Sequence, residues 1–238
     1  MTEHTTRAFD ADLHGLALKI AEMSRLDETQ IRQSIEALVK RDMALADGVI
    51  AAKDRVDALQ REIEEKAIVT IARRQPMAID LREIIGALRI SNDLEKIGDL
   101  AENVAKEVIL LSDAFVIDEV ILQLQRMGRL VLGQLMRVLR SYERGDAAEA
   151  LEVWREDLEV DSLNNSLFRE TLTYMMENPR NITFCAHLLF CAKNIERIGD
   201  HATNIAETVC YIVEGHTLPE RPKADLTGVG GRPLPREA

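Results

Sequence analysis

Apolar residues recur every third or fourth position along most of the chain. From Ile90 the steps of four and three alternate without a miss through Leu94, Ile97, Ala101, Val104 and Val108 to Leu111. Leu188, Cys191, Ile195, Ile198, Ala202, Ile205, Val209 and Ile212 follow the same rule, as do Val49, Ala52, Val56, Leu59 and Ile63. Such rows line one side of a helix and pack into left-handed bundles. The spacing predicts six long helices. The first spans Phe9 to Lys40, and Asp42 caps a second that reaches Ala72. A third opens in its first turn with Pro76 and runs to Leu111, where Ser112 and Asp113 make a break. The fourth covers Val116 to Tyr142, ending at Gly145 as the C′ residue. Asp146 and Glu149 then form a capping box for the fifth. Asn178 and Pro179 repeat the cap-plus-proline signal and open the sixth, which ends near Gly215.

The pattern is duplicated. Residues 95–105 read EKIGDLAENVA and residues 196–206 read ERIGDHATNIA, identical at seven of the eleven positions. Upstream, Val56-Asp57-x-Leu59 resembles Val160-Asp161-x-Leu163, and Ala21-Glu22-Met23 aligns with Gln125-Arg126-Met127. An internal repeat on top of helical periodicity predicts an all-α fold, a tandem pair of antiparallel three-helix bundles. The halves would be residues 8–112 and 115–216. The tail at 217–238 is rich in Pro, Gly and charge without amphipathic period, so we expect it to be disordered.

Composition narrows the function. The 238 residues carry 30 Lys plus Arg against 41 Asp plus Glu, a formal net charge of −11. That balance, with no dense basic block, argues against nucleic acid as partner and against direct binding to anionic membranes. No stretch approaches the roughly 20 apolar residues that cross a bilayer, and the first residues carry no secretory pattern. A cytoplasmic protein is expected. Cys185, Cys191 and Cys210 lack metal-site or disulfide spacing, and Cys191 falls in an apolar row as a buried thiol. No phosphate-loop, dinucleotide-binding, nucleophile-elbow or zincin motif occurs.

The candidate chemistry lies in carboxylates. Glu95, Asp99 and Asn103 stand four apart on one helix face, and Glu196, Asp200 and Asn204 repeat them. Asp57 and Asp161, with Asp54 and Asp157 near them, are placed to face these stripes across a hairpin. Converging carboxylates with an amide suit Fe, Mn, Mg or Zn. The other reading is a solvated acidic face neutralised by Lys96 and Arg197. The spacing leaves both open. His201 adjoins Asp200 but points about 100° away from it on a helix, so we expect a surface residue rather than a ligand. Gly98 and Gly199, each costing about 1 kcal/mol mid-helix, mark close helix contacts.

Taken together, Gln75-Pro76-x-Ala78-x-Asp80-Leu81-Arg82, Asp93-Leu94-Glu95-Lys96-Ile97-Gly98-Asp99 and Glu196-Arg197-Ile198-Gly199-Asp200-His201-Ala202 resemble the PhoU family, as does the opening Phe9-Asp10-x-Asp12-Leu13. The resemblance spans about residues 8–216. It implies a cytoplasmic homodimer without enzymatic activity that represses the phosphate-starvation response and restrains phosphate uptake. Its implied partners are the nucleotide-binding subunit of a phosphate ABC transporter and a sensor histidine kinase, so that it meets the membrane only through proteins. It also implies metal clusters at Glu95, Asp99, Glu196 and Asp200. Asp57, Asp161, Asn103 and Asn204 are added from helix geometry, and Asp80 and Arg82 are a partner or structural motif. The second half lacks that element, reading Asn181-Ile182-Thr183. A metal-dependent hydrolase or ferritin-like iron protein is the alternative function, and direct phosphate sensing a third.

Overall fold

The computed structural model describes residues 2–111 and 118–219. The predicted break at Ser112 and Asp113, most of the predicted tail and the side chain of Asp157 lie outside the described residues. Six α-helices are found within them: α1 (Thr2–Lys40), α2 (Met43–Arg74), α3 (Ile79–Leu110), α4 (Asp118–Arg144), α5 (Ala147–Glu177) and α6 (Ile182–Glu214). Helices α1–α3 pack together as one bundle and α4–α6 as the other. The two are joined through α3 against α6 and α1 against α4.

The cap signals explain most of the boundaries. The Asp42 carboxylate accepts from the backbone N–H of Leu45 at 3.0 Å, and that of Asp146 from Glu149 at 3.1 Å. The expected capping box of Asp146 and Glu149 is only half made. The Glu149 carboxylate accepts from Arg137 Nε at 2.6 Å, while the Asp146 N–H donates to the Ser141 carbonyl at 2.9 Å. Replacing a side chain that caps this way costs about 1 kcal/mol. Asp146→Ala should therefore lower the unfolding free energy by about that amount, read as a lower urea midpoint at unchanged slope.

Two boundaries differ from expectation. Helix α1 begins at Thr2, about two turns earlier than the expected start at Phe9. Helix α3 begins at Ile79, and Pro76 lies before it. The reason is local: Gln75 ends α2 in a left-handed conformation (φ 49°), donating to the Ile71 carbonyl. The residues up to Ala78 are then used to turn the chain.

At the joint, α3 and α6 run antiparallel. Asp93 on α3 meets His201 on α6, and Glu107 further along α3 meets His187 earlier on α6. Gly86 brings the helices together: a Cβ there would lie 2.2 Å from Cδ1 and 2.5 Å from Cγ1 of Ile212. Arg89 stacks over the Tyr211 ring at 4.8 Å from its centroid. All three cysteines are buried free thiols, and burial drives the pKa of Cys191 far up, so it is inert.

Candidate functional site

The first-half stripe is built around a lysine. Lys53 on α2 is 7% exposed and reaches toward α3. Its ammonium bonds Asp57 one turn along α2, Asp99 Oδ1 at 2.8 Å and Glu95 Oε1 at 3.2 Å. An ammonium has three protons, and three carboxylates receive them. On the outer side Lys96 Nζ lies 2.9 Å from Glu95 Oε2 and 3.5 Å from Asp99 Oδ2. Burial opposes the charge on Lys53, but the bonds to Asp57, Asp99 and Glu95 outweigh it and hold its pKa above the ordinary lysine value. Burial likewise works against ionised Asp99, and the bonds and charge of Lys53, aided by Lys96, pull its pKa below the usual value.

Behind this cluster lies a second acid. Asp27 on α1 is fully buried, and neither carboxylate oxygen has a hydrogen-bond partner. Burial raises its pKa well above the normal value, against the charge of Lys53 and with that of Glu95. Gln30, one turn on, donates to the Val49 carbonyl at 3.2 Å but leaves its own oxygen unpartnered. Gly98 makes room for both, as a Cβ there would sit 3.2 Å from Asp27 Oδ1 and 3.3 Å from Gln30 Oε1. The expected close contact at Gly98 is thus a contact with polar atoms as well as with Val56.

The second half is differently furnished. Glu196 bonds Lys193, and its pKa is raised by burial first and then by the charges of Asp200 and Asp161, with Lys193 opposing. Asn204 donates to Asp93 Oδ1 across the joint at 3.4 Å, while Asn103 is exposed on α3. His201 is not the expected surface residue. Its side chain is 17% exposed, with Nδ1 2.9 Å from Asp93 Oδ1, because the direction leading away from Asp200 leads into α3.

Asp80 lies in the first turn of α3, where a carboxylate complements the helix dipole. Arg82 packs against the end of α6: a Cβ on Gly215 would lie 2.8 Å from its guanidinium. A cation at a helix C-terminus is stabilising, which gives this motif a structural task between the halves. A cleft of about 710 Å³ opens nearby among α1, α3, α4 and α6. On its wall, burial pushes the Tyr142 phenol up to about 12, helped by Glu83.

Lys53, Asp27 and Gln30 were not singled out from the sequence. Lys53 stands where an apolar residue belongs, four after Val49 and three before Val56, and it is buried there while Ala52 is only partly so. Asp27 is likewise four from both Met23 and Ile31 in the buried row of α1. Charged residues in register with an apolar row were the available signal.

The first-half carboxylates do not fit a metal ion as they stand, because the point on which they converge holds the Lys53 ammonium. Among the described residues no three His, Cys, Asp or Glu side chains are gathered in a metal-holding arrangement.

A duplicated helical bundle whose acidic stripes are tied into buried polar contacts defines a class of tandem three-helix-bundle proteins. The PhoU domain profile matches residues 20–108 and 124–209, one copy in each half. The chain belongs to the PhoU family. It is 51% identical to the phosphate-specific transport system accessory protein PhoU homolog of Rhizobium meliloti, over 96% of this chain and 97% of that one. It is 47% identical to the homolog so named in Caulobacter vibrioides, over 95% and 99% of the two chains. Among solved structures, PhoU from Pseudomonas aeruginosa superposes with a TM-score of 0.85 at 36% identity, covering 87% of this chain and all of that one. The phosphate transport system regulatory protein PhoU from Streptococcus pneumoniae gives 0.82 at 26% identity, covering 89% and 100%.

Proposed function

We propose that this chain is a non-enzymatic accessory protein of phosphate-specific transport. It restrains uptake and represses the phosphate-starvation response when phosphate is plentiful, by linking the transporter's nucleotide-binding subunit to a sensor histidine kinase. The observation that carries this reading is the 51% and 47% identity, over nearly the whole chain, to relatives named as accessory proteins of that system. The net charge is −11, and among the described residues no helix is long and apolar enough to cross a membrane, in keeping with a protein that reaches the membrane through protein partners.

Metal binding belongs to the second half in this reading. There the charges of Asp200 and Asp161 act on Glu196, and Fe, Zn, Mn or Mg would have to draw the three together from positions that do not form a ready-made metal site. The tagged full-length protein should co-purify from membranes with the transporter's nucleotide-binding subunit. Recovery of neither that subunit nor a histidine kinase, from cells expressing both, would count against the adaptor role.

A further inference from the structure

The two halves carry the same Glu-x-x-x-Asp element but not the same partner for it. In the repeat register that aligns Asp57 with Asp161, Lys53 falls opposite Asp157, so a cation in one half answers to an acid in the other. We propose that Lys53 is a built-in substitute for metal: its ammonium permanently occupies the first-half carboxylate cluster, which takes up no metal ion.

Three observations support it. The ammonium is buried and matched proton for carboxylate by Asp57, Glu95 and Asp99. Lys96 closes the outer oxygens of Glu95 and Asp99, leaving the pair bridged from both sides. Beneath lies Asp27, a fully buried carboxyl group without a hydrogen-bond partner that burial biases toward its neutral form, so it offers an expelled ammonium a poor counter-charge. An ammonium expelled by a metal would leave the cluster for a site where burying an unpaired charge is costly. A lysine cation also needs no loading, so the first bundle has its helix-pinning charge whatever the metal supply. The first half thus has its counter-charge built into the chain. This inference takes the second-half metal from the function proposed above but does not depend on it.

The test counts bound Mn²⁺ per chain by the loss of the free-ion electron paramagnetic resonance signal, using full-length protein. Neutralising the first cluster with Glu95→Gln and Asp99→Asn should leave the wild-type count unchanged. Lys53→Met should add about one Mn²⁺ per chain, a gain abolished by also introducing Glu95→Gln. A wild-type count that falls by one on neutralising Glu95 and Asp99 would overturn the proposal. So would a Lys53→Met protein with native circular dichroism that gains nothing. Should Lys53→Met not fold, the first comparison decides alone. Neutralising Glu196 and Asp200 tests the second-half assignment separately: an unchanged count there would remove that assignment and leave the role of Lys53 intact.

Discussion

Asp27→Asn is expected to raise stability at neutral pH by roughly 1–3 kcal/mol, the penalty of the buried, unpartnered Gln30 Oε1 to which the asparagine amide can donate. The change should also flatten the dependence of stability on pH. Asp27 is fully buried with both oxygens unpartnered, and burial raises its native pKa above the unfolded value. Below the ordinary aspartate range both states are protonated and the side chain has no pH effect. Above it the unfolded chain releases a proton that the native state keeps, so wild-type stability falls as pH rises. The asparagine amide removes this slope and offers a donor to the region of Gln30 Oε1. Asp99 works in the opposite sense. Its native pKa is lowered, so its contribution is present above the unfolded value and is lost on acidification. Urea unfolding between pH 5 and 8 separates the two. A loss of stability in Asp27→Asn at pH 8 would mean that Asp27 is ionised and paired with Lys53 in solution.

The second large effect is at the joint between the halves. Gly86→Ala places a methyl within 2.5 Å of two Ile212 side-chain carbons, an overpacking worth about 1–3 kcal/mol, less the ~1 kcal/mol that alanine regains in a helix. Ile212→Ala alone leaves a cavity and costs about 2–5 kcal/mol. Together they should cost less than their sum, because the added methyl fills space that the isoleucine vacates. A coupling of about 0.5–3 kcal/mol in the double-mutant cycle is expected. Strict additivity would mean that α3 and α6 do not close on each other at Gly86.

The apolar rows and caps made the six helices and their pairing by repeats legible in advance, because burial acts on periodicity and Asp42 and Asp146 act locally. The sequence resolved less where one residue serves two neighbours. Gln75 ends α2 and so delays α3 past Pro76, a competition that no count of cap residues weighs. The carboxylate stripes were visible, but their occupant was not. Lys53 lies 42 residues from Glu95, and only folding brings the two within 3.2 Å. The pairing of His201 with Asp93 spans 108 residues and crosses between the halves, beyond the reach of spacing within one helix.

The role in phosphate control is tested most directly by deleting the gene in its host and reading a phosphate-starvation promoter in phosphate-replete medium. We expect the promoter to be on despite abundant phosphate, and to be silenced again by the wild-type gene supplied in trans. A promoter that stays silent in replete medium and is induced normally on starvation would contradict the proposed repressor function.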